Sequence, residues 1–204
     1  MNLPENAKIE KFLPKNHFYN KVFLNQKLKD EFVRLIKKIT WKYKISEEIV
    51  GIKKTDKVEE IQVFEVELKE KQVPEKILKI IDKAIPYPIL FVAKYGEDWK
   101  YIISLKENGV KDYYYSEWNE DIDFDFNGVD LEKVYQKLIK KFIKTAGEEE
   151  SFGQAVEKDA KIKELEKEVE KLENKLNKEK QFNRKVELNK ELNNKKQELN
   201  KLKQ

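Results

Sequence analysis

The fold of this chain is decided by residues 60–69, which read EIQVFEVELK. Phe64, Val66 and Leu68 fall on one side of an alternating pattern, while Val63, Glu65, Glu67 and Lys69 fall on the other. Alternation with a period of two, in a segment rich in branched and aromatic side chains, is typical of a strand within a sheet. The segment therefore predicts a strand that buries one face and carries charged groups on the other.

Helical and strand patterns alternate on both sides of this strand. Apolar residues recurring every three or four positions predict helices over residues 26–43, 74–85 and 130–144. Short apolar runs bounded by turn residues predict further strands over residues 49–53, 89–95, 99–105 and 111–118. The order α-β-β-α-β-β-β-α predicts an α+β fold, in which a mixed sheet of about five strands is flanked by helices.

The C-terminal quarter differs in composition, being dominated by Glu, Lys, Asn, Gln and Leu. Its apolar residues form two seams that are out of phase with each other: Ile162, Leu165, Val169, Leu172 and Leu176, then Leu188, Leu192, Leu199 and Leu202. The slip between the seams either rewinds a coiled coil locally or marks a bend. Because neither Gly nor Pro follows Lys158, we favour one nearly continuous coiled-coil helix of roughly 65–70 Å. The predicted domains are a globular α/β domain (1–146), a linker (147–156) and the coiled coil (157–204).

Composition excludes several classes of protein. The chain has no cysteine, so disulfides and thiolate metal sites are impossible, and its one histidine, His17, rules out a two-histidine zinc motif. We find no apolar run of membrane-spanning length and no signal-peptide core, which predicts a cytoplasmic protein without a membrane partner. The net charge of +4 comes almost wholly from lysine, so it is a weak indication of nucleic-acid binding.

One catalytic pattern lies within the deciding strand. Glu67 and Lys69 have the form of the (D/E)xK half of a PD-(D/E)xK nuclease, in which two carboxylates hold Mg²⁺ and a lysine lies near the attacking water. Alternation places Glu65, Glu67 and Lys69 on one face, but the further carboxylate would have to be Asp56, in a predicted turn. The simpler interpretation is a half-exposed strand with cross-strand ion pairs.

Two other patterns have ordinary structural explanations. Residues 123–128, DFDFNG, match the opening of an EF-hand loop, but Val134 stands where the loop needs a bidentate glutamate. An acidic turn before a helix cap is the simpler interpretation. A set of aromatic residues could stack nucleic-acid bases, although packing in the core explains it equally well: Tyr87, Tyr95, Trp99, Tyr101, Tyr113, Tyr114, Tyr115 and Trp118.

A basic segment interrupts the two C-terminal seams. Lys178, Lys180, Arg184 and Lys185 surround Phe182, where the apolar phase slips. These five residues are the candidate contact site for a protein or nucleic-acid partner, because lysine and arginine bind phosphates and acidic surfaces. A solvated helix face whose polar residues fix the coiled-coil register is the alternative.

Five stretches of the chain resemble a bacterial and archaeal family known as domain of unknown function 4391 (DUF4391). They are residues 12–16, 41–45, 58–65, 81–91 and 179–189. The resemblance covers essentially the whole chain and brings no catalytic residues with it. It implies a link to DNA metabolism, because members of the family tend to be encoded beside helicases and DNA methyltransferases of restriction and phage-defence systems.

Two functional hypotheses follow. The favoured one is a non-enzymatic accessory or adaptor protein of a DNA modification, restriction or phage-defence system, whose coiled coil mediates self-association or docking and which needs no cofactor. The other is a Mg²⁺-dependent PD-(D/E)xK-like nuclease using Glu65, Glu67 and Lys69.

Overall fold

A computed structural model of the protein describes residues 3–106, 109–147 and 149–203, with the side chains of residues 110 and 111 left aside. Glu148, within the predicted linker, lies outside the described residues. The helices and strands occur in the order β1 (Lys8–Phe12), α1 (Asn16–Tyr19), α2 (Gln26–Leu35), β2 (Ile36–Ser46), α3 (Glu47–Val50), β3 (Glu60–Leu68), α4 (Glu75–Ala84), β4 (Ile89–Tyr95), β5 (Asp98–Lys106), β6 (Val110–Tyr115), α5 (Leu131–Lys140), α6 (Phe152–Lys178) and α7 (Phe182–Lys203).

The α+β fold is confirmed, but the described part of the chain holds a six-stranded mixed sheet rather than one of about five strands. The strands lie side by side in sequence order, from β1 to β6. Neighbouring strands run antiparallel except β3 and β4, which are parallel because α4 carries the chain back to the same end of the sheet. The stretch that decides the fold, β3, therefore lies in the middle of the sheet.

The predicted helix over residues 26–43 is wrong in its second half. Helix α2 ends at Leu35, and the chain continues directly into β2 from Ile36. The apolar residues there fit a helical period, but β2 pairs with β1 on one side and with β3 along its length on the other. Pairing with two strands outweighs the local helical preference, as tertiary context often does.

The short strand predicted over residues 49–53 is also wrong. Helix α3 occupies Glu47–Val50, and only Lys53 forms an isolated bridge, with Asp130. The later predictions are confirmed in type: α4 lies between Pro74 and Pro86, β4 and β5 form a hairpin that turns at Gly96, and α5 begins after Asp130. The Asp130 carboxylate caps α5 by accepting the backbone N–H of Lys133 at 2.7 Å.

Apolar residues are buried on both faces of the sheet. One face packs beneath α2 and α4, where Phe32, Phe64, Ile81 and Phe91 are almost fully enclosed. On the other face α5 lies over β3 and β5, and its Leu131, Val134 and Leu138 are fully buried. Each buried side chain of this size contributes about 1.5–3 kcal/mol by leaving water, so the two layers together stabilise the sheet.

The chain divides into two compact units, residues 1–142 and 143–204. In the second unit, the expectation of one continuous helix is wrong. Helix α6 ends at Lys178, Glu179 has an extended backbone, and α7 starts at Phe182. The two helices pack against each other as an antiparallel helical hairpin. Among the helices that the structure describes, none is both long and apolar enough to cross a bilayer.

Candidate functional site

The two apolar seams of the helical hairpin pack on each other. Ile162 and Leu165, near the start of α6, contact Leu199 near the end of α7. Leu172, further along α6, contacts Leu188. A long polar helix is unstable without a surface on which to bury its apolar stripe, and here each helix supplies that surface to the other. The phase slip between the seams falls where the chain reverses.

Ion pairs between α6 and α7 fix the register of the hairpin. The Lys195 ammonium lies 2.8 Å from the Glu168 carboxylate, although Lys195 occupies a seam position in the sequence pattern. Lys203 pairs with Glu166 at 2.7 Å, nearer the open end of the hairpin. Exposed pairs of this kind contribute at most about 1 kcal/mol each, so they select the register while the seams supply most of the stability.

The turn between the helices forms the hairpin tip, defined here as residues 178–187. Its Phe182 is 78% exposed and its Val186 54% exposed, four residues apart on one face of α7. Val186 precedes the seam residue Leu188 by two positions, or about 200° of rotation at 3.6 residues per turn. The seam therefore cannot bury Phe182 and Val186, which face outward.

The basic side chains predicted as a contact site surround this apolar pair. Lys178, Lys180 and Lys185 are exposed, and none of their ammonium groups forms a hydrogen bond or ion pair with a residue that the structure describes. Arg184 pairs with Glu187 at 2.8 Å. The hairpin tip thus brings all five predicted residues together, and it carries an apolar centre with unpaired positive charge beside it.

Glu179 holds the reversal of the chain in place. Its carboxylate accepts the backbone N–H groups of Lys180 at 2.7 Å and Gln181 at 2.9 Å. These two hydrogen bonds, with that of Gln181 the stronger influence, hold the pKa of Glu179 below its usual range. The carboxylate thus stabilises the turn that leads into α7, and the nearby positive charges of Arg184 and Lys185 lower its pKa further.

The residues of the nuclease hypothesis are each engaged elsewhere. Glu65 forms an ion pair with Lys94 at 2.8 Å, and Glu67 forms one with Lys37 at 3.0 Å. The Lys69 ammonium donates to the backbone carbonyl of Val33 at 2.8 Å.

No carboxylate lies across from these glutamates on the neighbouring strands. The cross-strand neighbours of Glu65 are Thr40 and Val92, and those of Glu67 are Lys38 and Lys94. Asp56 lies in the loop before β3, whose first residue, Glu60, is about 23 Å along the strand from Glu67. Across the described ranges, no group of three or more Asp, Glu, His or Cys residues is arranged to hold a metal ion. The residues present therefore do not fit a two-carboxylate Mg²⁺ site.

The acidic loop at residues 123–128 is held by contacts within the sheet domain, the unit formed by residues 1–142. Asp125 accepts the backbone N–H of Asn127 at 2.9 Å and pairs with Lys137 at 3.0 Å. The hydrogen bond from Asn127 and the Lys137 charge lower the pKa of Asp125 to about 2. The carboxylate is thereby occupied in shaping the turn before α5.

The aromatic residues of the sheet are mostly packing residues. Tyr113 and Tyr114 point to opposite faces, yet both are buried, because helices cover both faces of the sheet. Tyr115 and Trp118 are half-buried against the core, and the Lys100 ammonium lies 5.9 Å from the centroid of each ring. The rings of Tyr113 and Tyr114 are therefore core residues and are not accessible for stacking on bases.

Comparison with known proteins gives one match. A family model described as a domain of unknown function (DUF4391) matches residues 1–199, which span the sheet and nearly all of the hairpin. The chain belongs to this family. No curated protein and no solved structure matches the DUF4391 chain.

Sequence reasoning missed a buried polar quartet in this DUF4391 protein, made of Asp82, Ser104, Lys106 and Tyr113. The Asp82 carboxylate lies 2.9 Å from the Lys106 ammonium and accepts hydrogen bonds from the hydroxyls of Ser104, at 3.1 Å, and of Tyr113. The Lys106 ammonium also donates to the backbone carbonyl of Tyr87 at 2.7 Å. The sequence carried one signal, a lone aspartate on the apolar stripe of α4.

Burial dominates the electrostatics of the quartet. Removal from water raises the pKa of Asp82 and lowers that of Lys106, because each loses hydration of its charged form. The two side chains are 0% and 10% exposed, so a substrate cannot reach them. Perturbed pKa values often mark active sites, but this quartet instead joins the end of α4 to β5 and β6.

Proposed function

We propose that this DUF4391 protein is a non-enzymatic accessory protein that docks onto a protein of a DNA-processing assembly through its hairpin tip. The observation that carries the proposal is the 78% exposure of Phe182 at the turn of an otherwise well-packed hairpin. Burying a large aromatic side chain at an interface is favourable in free energy, and aromatic side chains are among the residues that contribute most to protein–protein binding.

The packing of the hairpin supports docking through the tip in preference to self-association through the seams. Leu165, Leu172, Leu188 and Leu199 are each less than 10% exposed within a single chain. A second copy would therefore find no free apolar stripe along the helices. Phe182 and Val186, in contrast, have the i, i+4 spacing with which a helix inserts into an apolar groove.

Charge indicates the kind of groove that would receive the tip. Because Lys178, Lys180 and Lys185 have no ionic partner among the described residues, they favour a groove rimmed by carboxylates. The identity of the partner rests on the family: helicases and DNA methyltransferases encoded beside its members are the first proteins to test. Restriction and phage defence are the corresponding processes.

The decisive experiment is co-expression of the full chain with the helicase or methyltransferase encoded beside its gene, followed by affinity purification. We expect the wild-type chain to retain the partner and the double variant Phe182→Ser/Val186→Ser to lose it. Phe23→Ser is the matched control, because Phe23 is 98% exposed but lies in the sheet domain. The proposal is contradicted if the tip variant still retains the partner, or if only the Phe23→Ser control loses it.

A nucleic acid at the same tip would give a different result. Fluorescence anisotropy with labelled duplex and single-stranded DNA should detect little binding by the isolated chain at physiological salt. If instead the chain binds tightly, and Lys178→Gln/Lys180→Gln/Lys185→Gln abolishes the binding, the tip is a phosphate-binding site and not a protein-docking site.

The nuclease hypothesis keeps one supporting observation. Glu65 and Glu67 lie toward the carboxyl end of β3, which is paired in parallel with β4, and ligands of α/β sheets commonly bind at that end. We place this hypothesis second, because both glutamates pair with lysines and the neighbouring strands supply no further carboxylate there.

A further inference from the structure

A groove of about 530 Å³ lies in the sheet domain, lined by the segment before β1, by α3 with the turn after it, and by the acidic loop. The rings of Phe124 and Phe126, whose centroids are 6.2 Å apart, are buried beside it. Four further apolar residues line the groove and stay partly exposed: Leu3, Ile49, Val50 and Ile52. Protein grooves of about 300–1,000 Å³ hold ligands of several apolar groups, so this one has room for side chains of a partner.

The polar residues of the groove are acidic or neutral. Asp123 is exposed and forms no hydrogen bond or ion pair with a residue that the structure describes. Asp125 is held by Lys137 and Asn127, and no lysine or arginine is among the described residues that line the groove. Residues 112–132, which include the acidic loop, contain eight carboxylates and no basic residue, although the chain has 43 lysines and arginines. The electrostatic field at the groove therefore favours a positively charged partner.

The hairpin tip has the complementary surface. Phe182 and Val186 are exposed on one face of α7, and Lys178, Lys180 and Lys185 lie beside them without an ionic partner among the described residues. The tip, residues 178–187, holds four basic and two acidic side chains, which gives it a formal charge of +2. Its apolar centre thus matches the apolar walls of the groove, and its positive charge matches the acidic loop.

We infer that the hairpin tip of one copy of the chain binds the groove of a second copy, with Phe182 and Val186 against the apolar walls and a tip lysine beside Asp123. The inference rests on the proposed docking function of the tip and names what the tip binds when its partner protein is absent. Because both contacts need Phe182, a tip that is bound to the partner cannot also bind a second copy. Self-association therefore regulates how much tip is free to dock.

The contact joins two different surfaces, so each copy in a pair keeps one free tip and one free groove, and association continues beyond the dimer unless a ring closes. An interface of this small size is typical of weak complexes, and we expect a dissociation constant of about 10 μM to 1 mM. Sedimentation velocity of the full chain across this range should show a mean mass that rises with concentration past the dimer. Added salt should weaken the association, because it screens the exposed charges.

Two variants each remove one side of the contact. Phe182→Ser/Val186→Ser leaves only the groove, and Val50→Lys/Asp123→Lys leaves only the tip. Each variant alone should remain monomeric, whereas an equimolar mixture should form a heterodimer that grows no further. Asp121→Lys is the matched control and should associate like the wild type, because Asp121 is exposed in the same acidic segment but does not line the groove.

NMR spectra of the full chain locate the contact and verify that the variants are folded. The isotope-labelled tip variant, titrated with the unlabelled groove variant, should show saturable shifts of the Ile49, Val50, Ile52 and Asp123 amides. If Val50→Lys disturbs α3, Asp123→Lys alone serves as the groove variant and should weaken association about threefold or more.

The inference is overturned if the wild-type chain stays monomeric over this range, if the tip variant alone still associates, or if the mixture forms no heterodimer. These outcomes are separate from the test of the proposed function. The groove variant keeps its tip, so it should still retain the helicase or methyltransferase in affinity purification. Retention of that partner by a chain that never self-associates would leave the proposed function intact and remove this inference alone.

Discussion

The carboxylate of Asp82 and the ammonium of Lys106 lie 2.9 Å apart inside the sheet domain, with side chains 0% and 10% exposed. The pair joins α4, on one face of the sheet, to β5, the strand beside the edge strand β6. Attraction between buried charges is offset by the loss of their hydration, so removing one partner costs far more than the pair contributes. This asymmetry makes the pair testable by substitution.

We predict that Lys106→Met destabilises the protein by about 3–5 kcal/mol, because it leaves the Asp82 carboxylate buried without a counter-ion. Burial already raises the pKa of Asp82 above its usual value, and loss of the lysine raises it further. A raised carboxyl pKa means that the folded state binds the proton more tightly than the unfolded chain does. The loss should therefore be largest at neutral pH and should shrink as the pH falls through the raised pKa.

Urea unfolding at two pH values measures this effect, and Asp82→Asn in the same background provides the control. The asparagine can accept one of the two hydroxyls of Ser104 and Tyr113 through its Oδ1 and donate its amide N–H to the oxygen of the other, and it has no charge to bury. We expect it to recover a large part of the lost stability at neutral pH and to remove the pH dependence. An equal loss at both pH values would show that Lys106 stabilises the fold by packing alone.

The hairpin predicts a short distance between two residues that are far apart in sequence. Glu166 of α6 and Lys203 of α7 form an ion pair at 2.7 Å. In the continuous helix that the sequence favoured, they would lie about 55 Å apart at 1.5 Å per residue. Because the chain has no cysteine, Glu166→Cys/Lys203→Cys can carry two spin labels without further changes. Electron paramagnetic resonance should give a distance far below the continuous-helix value.

How much of this arrangement could be predicted from sequence depended on where the partner of each segment lies. The alternation of Phe64, Val66 and Leu68 with Glu65 and Glu67, in a segment rich in branched and aromatic residues, predicts strand β3. Ile36 and Ile39 fit helical spacing as well as strand spacing, so the pattern predicts a helix over residues 36–43, and only pairing with β1 and β3 decides between the two structures. The phase slip allows either local rewinding or a bend, and the absence of Gly and Pro favours the continuous helix. Packing of the two seams decides for the reversal at Glu179.

The functional and buried polar residues likewise differ in whether the sequence alone could identify them. The five tip residues could be named from sequence because charge and apolar phase change there within a few positions. The Asp82–Lys106 pair could not, because its members are separated by 24 residues and meet only through the order of the strands. The groove lined by Leu3, Val50 and Phe126 is likewise a property of packing, because its walls come from distant parts of the chain.

Truncating two side chains of α7 to alanine should change the stability of the hairpin by very different amounts. Leu188 is 7% exposed in the seam, so Leu188→Ala should destabilise the hairpin by about 2–3 kcal/mol. Phe182 is 78% exposed, so Phe182→Ala should change the stability by no more than about 0.5 kcal/mol. Hydrogen exchange of the α7 amides reports the hairpin separately from the sheet. A large loss of protection in Phe182→Ala would mean that the aromatic ring stabilises the fold and is not reserved for a partner.

The pKa of Asp125 offers a test of the acidic loop. We expect the carboxyl carbon to titrate near pH 2 in NMR spectra, because the Asn127 backbone N–H and Lys137 both favour the charged form. A lowered carboxyl pKa stabilises the folded state above the unfolded-state pKa, and that contribution is lost as the pH falls through the folded value. Lys137→Met should raise the pKa only partly toward 3.8, since the hydrogen bonds from Asn127 remain. Full reversion would assign the shift to the lysine alone.

The nuclease hypothesis yields the last prediction. Glu67 pairs with Lys37 and faces Lys38 and Lys94 across the sheet, so a divalent cation would have to displace an ammonium to reach it. We therefore expect no cleavage of plasmid or single-stranded DNA by the purified chain with Mg²⁺ or Mn²⁺.

Glu67→Ala should leave that result unchanged, while removing the ion pairs of Glu67 with Lys37 at 3.0 Å and Lys38 at 3.9 Å and costing about 1 kcal/mol of stability. Glu70→Ala serves as the control, because Glu70 forms an ion pair with Arg34 at 2.6 Å outside the β3 pattern. Metal-dependent cleavage that disappears in Glu67→Ala but persists in Glu70→Ala would make β3 a catalytic strand. In that case the accessory-protein proposal would fail even if the hairpin tip also binds a partner.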